Sequence, residues 1–212
     1  MHDRRIDGKP HVFGNYGALY MNAMTWYDHE TQSFWSQPTG TSLRGEYKGV
    51  RLEMIPSAVM PWGTWRREHP DTLLLDSLVS PGARAYVPFN GQRGEYVVGV
   101  ALGNHAKAYP FDLVSQQVVT NDRIGELPLV VYANPDDGSV HVYAGVIGGR
   151  ELQFEWVQGQ LKDRETGTRW DPTNGFALEG PLQGRLLRAI PTSTAYDWAW
   201  IDFYPHSTLY AP

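Results

Sequence analysis

A chain of 212 residues, 42% hydrophobic and 19% charged, is long enough for a sizeable core in one large domain or two small ones. Eighteen Lys+Arg against 23 Asp+Glu leave a formal charge of −5, which gives no electrostatic footprint for nucleic acid or an anionic membrane surface. No apolar run approaches the roughly 18 residues of a spanning helix, the start Met1-His2-Asp3-Arg4-Arg5 lacks the apolar stretch of a signal peptide, and the absence of Cys removes disulfides, thiolate ligands and Cys nucleophiles; the chain reads as soluble.

The 22 Gly and 15 Pro leave short segments between breakers, which predicts a mainly β fold: a pseudo-duplicated antiparallel sheet or barrel-like domain with short helical turns. In chain order, Asp28 followed by polar residues predicts a hairpin turn ahead of Trp35. Gly40, Gly45 and Gly49 bracket a short strand over residues 41–44, and Ile55-Pro56 ends another, because the residue before Pro is pushed to extended geometry. Pro61 suits the first turn of a short helix that puts Trp62 and Trp65 on one face, expected to be buried against a sheet, and Pro70 stops it. The Gly- and Pro-rich stretches at 81–84 and 90–94 place a linker at 76–95. Strands follow at 96–102, 129–133 and 140–146, the last two joined by the turn Asn134-Pro-Asp-Asp-Gly138. A second Asp-led hairpin turn at Asp163 precedes Trp170, a strand at 176–179 follows, and Ser193-Thr194-Ala195-Tyr196-Asp197 carries a helix-capping pattern.

The chain repeats itself at an offset of 135. Asp28, Glu30, Thr31, Trp35, Gly40, Leu43, Gly45, Gly49, Leu52, Ile55, Pro56, Trp65 and Pro70 match Asp163, Glu165, Thr166, Trp170, Gly175, Leu178, Gly180, Gly184, Leu187, Ile190, Pro191, Trp200 and Pro205 without a gap. Ordinary composition would give about two or three such identities over this length. The organisation expected is a first, partial unit at 1–75 and a second, complete unit at 96–212 within one compact fold, with residues 96–154 having no counterpart. Matched Trp at one offset imply matched packing, so Trp35, Trp65, Trp170 and Trp200 are expected to be buried in equivalent places.

Several strings resemble a known family. Leu19-Tyr20, Tyr27-Asp28 and Ser33-Phe34-Trp35-Ser36-Gln37-Pro38-Thr39-Gly40, then Thr64-Trp65 and His69-Pro70-Asp71-Thr72, look like the bacterial and archaeal domain of unknown function 3179. Ala106-Lys107-Ala108-Tyr109-Pro110, Val119-Thr120-Asn121-Asp122 and the stretch 198–205 fit the second copy of its duplicated unit. The resemblance names no activity. It also implies a further N-terminal half-unit with paired Cys, which this chain lacks, so no Cys-based metal or redox site carries over. The chain is accordingly expected to be a short member or a downstream piece of a longer product. Its first copy, left short of partners, is expected either to self-associate or to be covered by residues 1–13.

Motif chemistry is sparse. His2, His11, His29, His69, His105, His141 and His206 show no zinc-ligand spacing, and capping or hydrogen-bonded roles outweigh metal ligation. There is no nucleophile elbow, Walker loop or dinucleotide fingerprint. The acids Asp28, Glu30, Asp163 and Glu165 invite a glycosidase pair, but their place on hairpin turns in both copies argues for turn chemistry. Two classes of function remain. The first is a non-catalytic binding or scaffold protein, since the repeated residues are of fold-building types. The second is a hydrolase-like enzyme with a polar site at the interface of the units, drawing on His69, Asp71, His105, Asn121, Asp122 and Gln37, where the Asn121-Asp122 turn would meet the His69-Pro70-Asp71 corner. Cofactor, metal and any small-molecule or carbohydrate ligand are unassigned at this level.

Overall fold

The computed structural model describes residues 1–57, 59–74, 94–134 and 136–212. All of the expected linker except Gly94 and Glu95 lies outside them. The chain opens with a small hairpin, β1 (Arg5–Ile6) and β2 (Lys9–Pro10), followed by an antiparallel sheet of β3 (Phe13–Tyr20), β4 (Ala23–Asp28), β5 (Phe34–Ser36) and β6 (Ser42–Arg44), and then helix α1 (Trp62–Glu68). The middle of the chain holds β7 (Tyr96–Leu102), β8 (His105–Pro110), α2 (Phe111–Gln117), β9 (Val119–Ile124), β10 (Leu127–Ala133) and β11 (Val140–Ala144). Next come a hairpin of β12 (Val146–Ile147) and β13 (Arg150–Glu151) and a sheet of β14 (Phe154–Val157), β15 (Gln160–Asp163), β16 (Arg169–Trp170) and β17 (Ala177–Glu179). The chain closes with β18 (Ser193–Tyr196), α3 (Asp197–Phe203) and β19 (Thr208–Leu209). The class is mainly β, with several antiparallel sheets and no closed barrel among the described residues.

Two copies of one hydrogen-bonded unit account for most of this. In the first, Asp28 is wholly buried; one carboxylate oxygen accepts from Trp35 Nε1 at 2.8 Å and the other from the Thr31 backbone N–H at 2.6 Å. In the second, Asp163 accepts from Trp170 Nε1 at 2.9 Å and from the Thr166 N–H at 2.7 Å. The Thr31–Ser33 and Thr166–Thr168 hydroxyl pairs each span 2.7 Å. The repeated Asp, Thr and Trp are therefore spaced to close a tight hairpin and to satisfy a buried indole N–H with a buried carboxylate.

The correspondence runs further back than the sequence comparison reaches. Phe13 packs edge-on to Trp35, as Phe154 does to Trp170. Here the offset is 141 (154 − 13) rather than 135, because the β3–β4 hairpin is longer than that of β14–β15. At the new offset β1 and β2 correspond to β12 and β13, and the isolated bridge His2–Met54 corresponds to Tyr143–Ala189. Residues 142–154 thus have a counterpart after all, and the unmatched stretch is 96–141. Residues 1–13 are the opening of the first copy, the equivalent of 142–154, rather than an added cover.

The tails of the copies fold alike and pack differently. Both helices have seven residues, and the indole N–H of Trp65 reaches Thr72 Oγ1 at 2.9 Å as that of Trp200 reaches Ser207 Oγ at 2.7 Å. In the second copy β18 pairs antiparallel with β7 and β19 pairs parallel with β8, so α3 lies on a four-stranded sheet. Gly99 of β7 leaves room for the Trp200 ring, since a Cβ there would sit 2.2 Å from it. No strand among the described residues plays the part of β7 for the first copy. Trp200 is 3% exposed, whereas Trp65 is 37% and Trp62 43% exposed, so the expected burial of the Trp62/Trp65 face is corrected. The capping pattern at 193–197 is also corrected: residues 193–196 are strand, and α3 starts at Asp197 with no side-chain cap. Pairing with β7 supplies these residues with backbone partners that an isolated helix end would have to obtain from side chains.

The main core lies between the β11-β10-β9 sheet, α2 and the β7–β8 hairpin, with Val98, Tyr109, Val114, Leu129, Val131 and Val142 buried together. The apolar runs of β7 and β10 are buried on both faces, which is why they read as continuous rather than alternating.

Candidate functional site

The tail of each copy lies against the body of the other, and two clefts open there. The first has a volume of about 690 Å³ and is bordered by the body of the first copy, through His2, Trp26 and Gln37, and by the tail of the second, through Thr192, Trp200 and Tyr204. The second, about 210 Å³, is bordered by the body of the second copy, through Tyr143 and Thr173, and by the tail of the first, through Ser57, Trp65 and His69. Ser57 and Thr192, which correspond at the offset of 135, line both clefts.

Equivalent positions explain the difference in size and chemistry. Tyr143 occupies the place of His2 and donates its hydroxyl to the Pro172 carbonyl at 3.0 Å, while His2 Nε2 reaches the corresponding Gln37 carbonyl, also at 3.0 Å. Each ring lies over a glycine, Gly175 or Gly40, where a Cβ would come within 2.7 Å or 2.6 Å of the ring. The two glycines adopt φ of +63° (Gly40) and +70° (Gly175), so the turn and the ring contact both call for Gly. The smaller imidazole leaves space where the phenol fills it.

The polar groups of the large cleft are well defined. Because His2 Nε2 faces a carbonyl it carries the proton, and Nδ1 is buried without a hydrogen-bond partner. Burial pushes the imidazole below its ordinary range; the Gln37 carbonyl opposes this, and the terminal amine and Arg51 add to it. Tyr204 is 7% exposed and stacks on Trp200 with ring centres 4.2 Å apart. Its hydroxyl is buried; burial raises its pKa, and the charge of Arg51 acts in the other direction. No Asp, Glu, Lys or Arg lines this cleft among the described residues.

The sequence-derived candidates fall in different places. Gln37 lines the large cleft and His69 the small one, where His69 packs against Trp65 at 4.0 Å between ring centres. Asp71 is exposed and borders neither. Asn121 and Asp122 lie inside β9 rather than on a turn. The Asn121 amide is spent on structure: its Nδ2 donates to the Phe154 carbonyl and its Oδ1 accepts from the Phe154 N–H, both at 2.7 Å, tying β9 to β14. Asp122 accepts from Lys107 Nζ at 2.8 Å and from the Tyr109 hydroxyl at 3.1 Å; neither hydrogen bond nor ion pair joins it to His69. His105 is exposed on β8, against Gly125. Asp28 and Asp163 are the buried partners of Trp35 and Trp170, which corrects any reading of them as a pair flanking a substrate bond.

His2, Trp26 and Tyr204, which line the large cleft, escaped the sequence reading. Their signal lay in the differences between the copies: Trp26 stands opposite Leu161 and Tyr204 opposite His69 at an offset of 135. The pairing of His2 with Tyr143 was hidden by the change of offset. Among the described residues no group of three or more His, Asp or Glu side chains is placed to hold a metal ion, and no helix is long and apolar enough to cross a membrane.

Comparison with curated proteins and with solved structures gave no match. The family model described as "Protein of unknown function (DUF3179)" matches residues 1–87 and 89–207, both copies and the stretch between them; the chain belongs to this family.

Proposed function

We propose that the protein is a non-catalytic binding protein whose ligand occupies the large cleft at the junction of the two units, taken as 1–75 and 96–212. The observation that carries this reading is the cleft itself: about 690 Å³, within the ~300–1,000 Å³ typical of small-molecule sites, with two Trp, a Tyr and a few convergent polar groups on its walls. The least exposed ion pair among the described residues, Lys107–Asp122, is joined by the Tyr109 hydroxyl, closed on itself, and holds β8 to β9. A hydrolytic reading of the same junction would use Gln37 or His69 and predicts turnover rather than simple saturation. Titration with 2-naphthamide, followed by tryptophan fluorescence, tests the proposal. Saturable binding that weakens at least tenfold in Trp26→Leu, which installs the residue of the equivalent position Leu161, is expected. No saturable binding, or binding indifferent to Trp26, would contradict it.

A further inference from the structure

Beyond the ligand of the large cleft, we infer that the small cleft is a second site, for a primary ammonium on a short apolar stem, carried by a free amine or by a lysine side chain. Glu68 and the Trp65 ring on α1 meet its charge, and the His141 imidazole on β11 meets one of its N–H groups. Glu68 lines the cleft and makes no ion pair among the described residues. No Lys or Arg among them borders it, and the neighbouring Arg67 donates to the Thr64 hydroxyl at 3.2 Å. Trp65 stands one turn earlier on the same side of α1 and is more than a third exposed, so indole surface is left for a cation. His141 is only 7% exposed, borders the same cleft and holds a buried Nε2 with no hydrogen-bond partner. Such a nitrogen costs free energy until something supplies a partner. Burial keeps this ring below its ordinary range, with the charges of Asp137 and Asp171 acting the other way, so the imidazole is neutral and has a lone pair to accept an N–H. The same wall is in negative surroundings: burial raises the Tyr143 hydroxyl, and the charges of Asp171 and Glu68 add to it.

The repeat acts as an internal control on the meaning of Glu68. At an offset of 135 its place is taken in the second copy by Phe203, which packs against the buried cluster around Trp200. Helices of seven residues form with either side chain, so the fold does not require a carboxylate there. The exchange also sets the two clefts apart, since no charged side chain lines the large one among the described residues and a carboxylate lines the small one. A volume of about 210 Å³ is below the ~300–1,000 Å³ of sites for larger molecules and suits a stem of a few carbons.

The test follows the Trp indole N–H resonances of the intact protein during titration with butylammonium, with its neutral analogue butan-1-ol, and with Nα-acetyl-lysine methylamide. Butylammonium is expected to shift Trp65 saturably and to leave Trp26 and Trp200 unmoved. Butan-1-ol should bind at least tenfold more weakly, the difference shrinking as salt rises. In Glu68→Gln the preference is lost. His141→Phe weakens butylammonium severalfold yet leaves the unfolding temperature unchanged or higher, because Nε2 has no hydrogen bond within the protein to lose; a merely structural His141 would give the reverse. Tighter binding of the lysine derivative than of butylammonium assigns the site to a lysine side chain, and the opposite order to a free amine. Equal affinity for butylammonium and butan-1-ol, a preference that survives Glu68→Gln, or no saturable shift at Trp65 overturns the inference. None of these outcomes touches the reading of the large cleft, which Trp26 reports.

Discussion

The two tails of the molecule carry the same helix, the same indole-to-hydroxyl hydrogen bond and the same C-terminal backbone geometry, yet one Trp is sealed and its twin is more than a third exposed. The difference is the β7–β8 hairpin, which gives α3 a floor and, through Gly99, a slot for the ring. Local sequence thus builds the helix, and a non-local partner decides what the helix buries.

The largest expected effect is therefore an asymmetry. Trp200→Ala, like Trp35→Ala and Trp170→Ala, should cost about 3–5 kcal/mol in denaturant unfolding, whereas Trp65→Ala should cost about 1 kcal/mol or less because little is buried there. Equal costs at 65 and 200 would break the comparison. Next, Gly99→Ala should destabilise by about 3 kcal/mol, because the new methyl has no space beside the Trp200 ring.

The shared feature of the copies is expected to give a symmetric result. Asp28→Asn and Asp163→Asn each turn an acceptor of the Trp N–H into a competing donor inside the core, at a cost of about 1–3 kcal/mol. Acid sharpens this. Burial acts to raise the Asp28 pKa, but the hydrogen bonds from Trp35, Thr31 and Ser33 outweigh it and hold the carboxyl below its ordinary value. Its contribution is then present above the unfolded pKa and lost as pH falls through the folded one, so the gap between wild type and Asp28→Asn should narrow in urea melts below about pH 4. A gap that widened in acid would reverse the sign of this argument. The smallest effect belongs to Lys107→Met: both partners of the Lys107–Asp122 pair are about a fifth exposed and Tyr109 still donates to Asp122, so the loss should be about 1 kcal/mol or below.

Much of the fold was legible because the repeat is written in residues with strict local demands: an Asp that closes a turn, glycines at positive φ, a Trp seven residues after its acceptor. The strands 96–102 and 129–133 stood out for the same reason, as apolar β-branched runs between breakers. The longer β3–β4 hairpin shifted the offset and hid the match of residues 1–13 with 142–154 from an ungapped comparison at 135. The exposure of Trp65 was beyond reach, since burial of a helix face depends on strands distant in sequence. For the site, Gln37 and His69 were found at the junction, but Asn121 proved to be a clamp between strands. The residues that distinguish the two clefts are those where the copies differ, and a search for shared residues passes over them.

The central claim, that the larger of the two clefts is the ligand site, is tested most directly by following the indole N–H resonances of the Trp residues during titration with 2-naphthamide. The account predicts shifts at Trp26 and Trp200, which line the large cleft, with Trp65, Trp35 and Trp170 unmoved. Shifts confined to Trp65, or an unchanged spectrum at saturating probe, would contradict it.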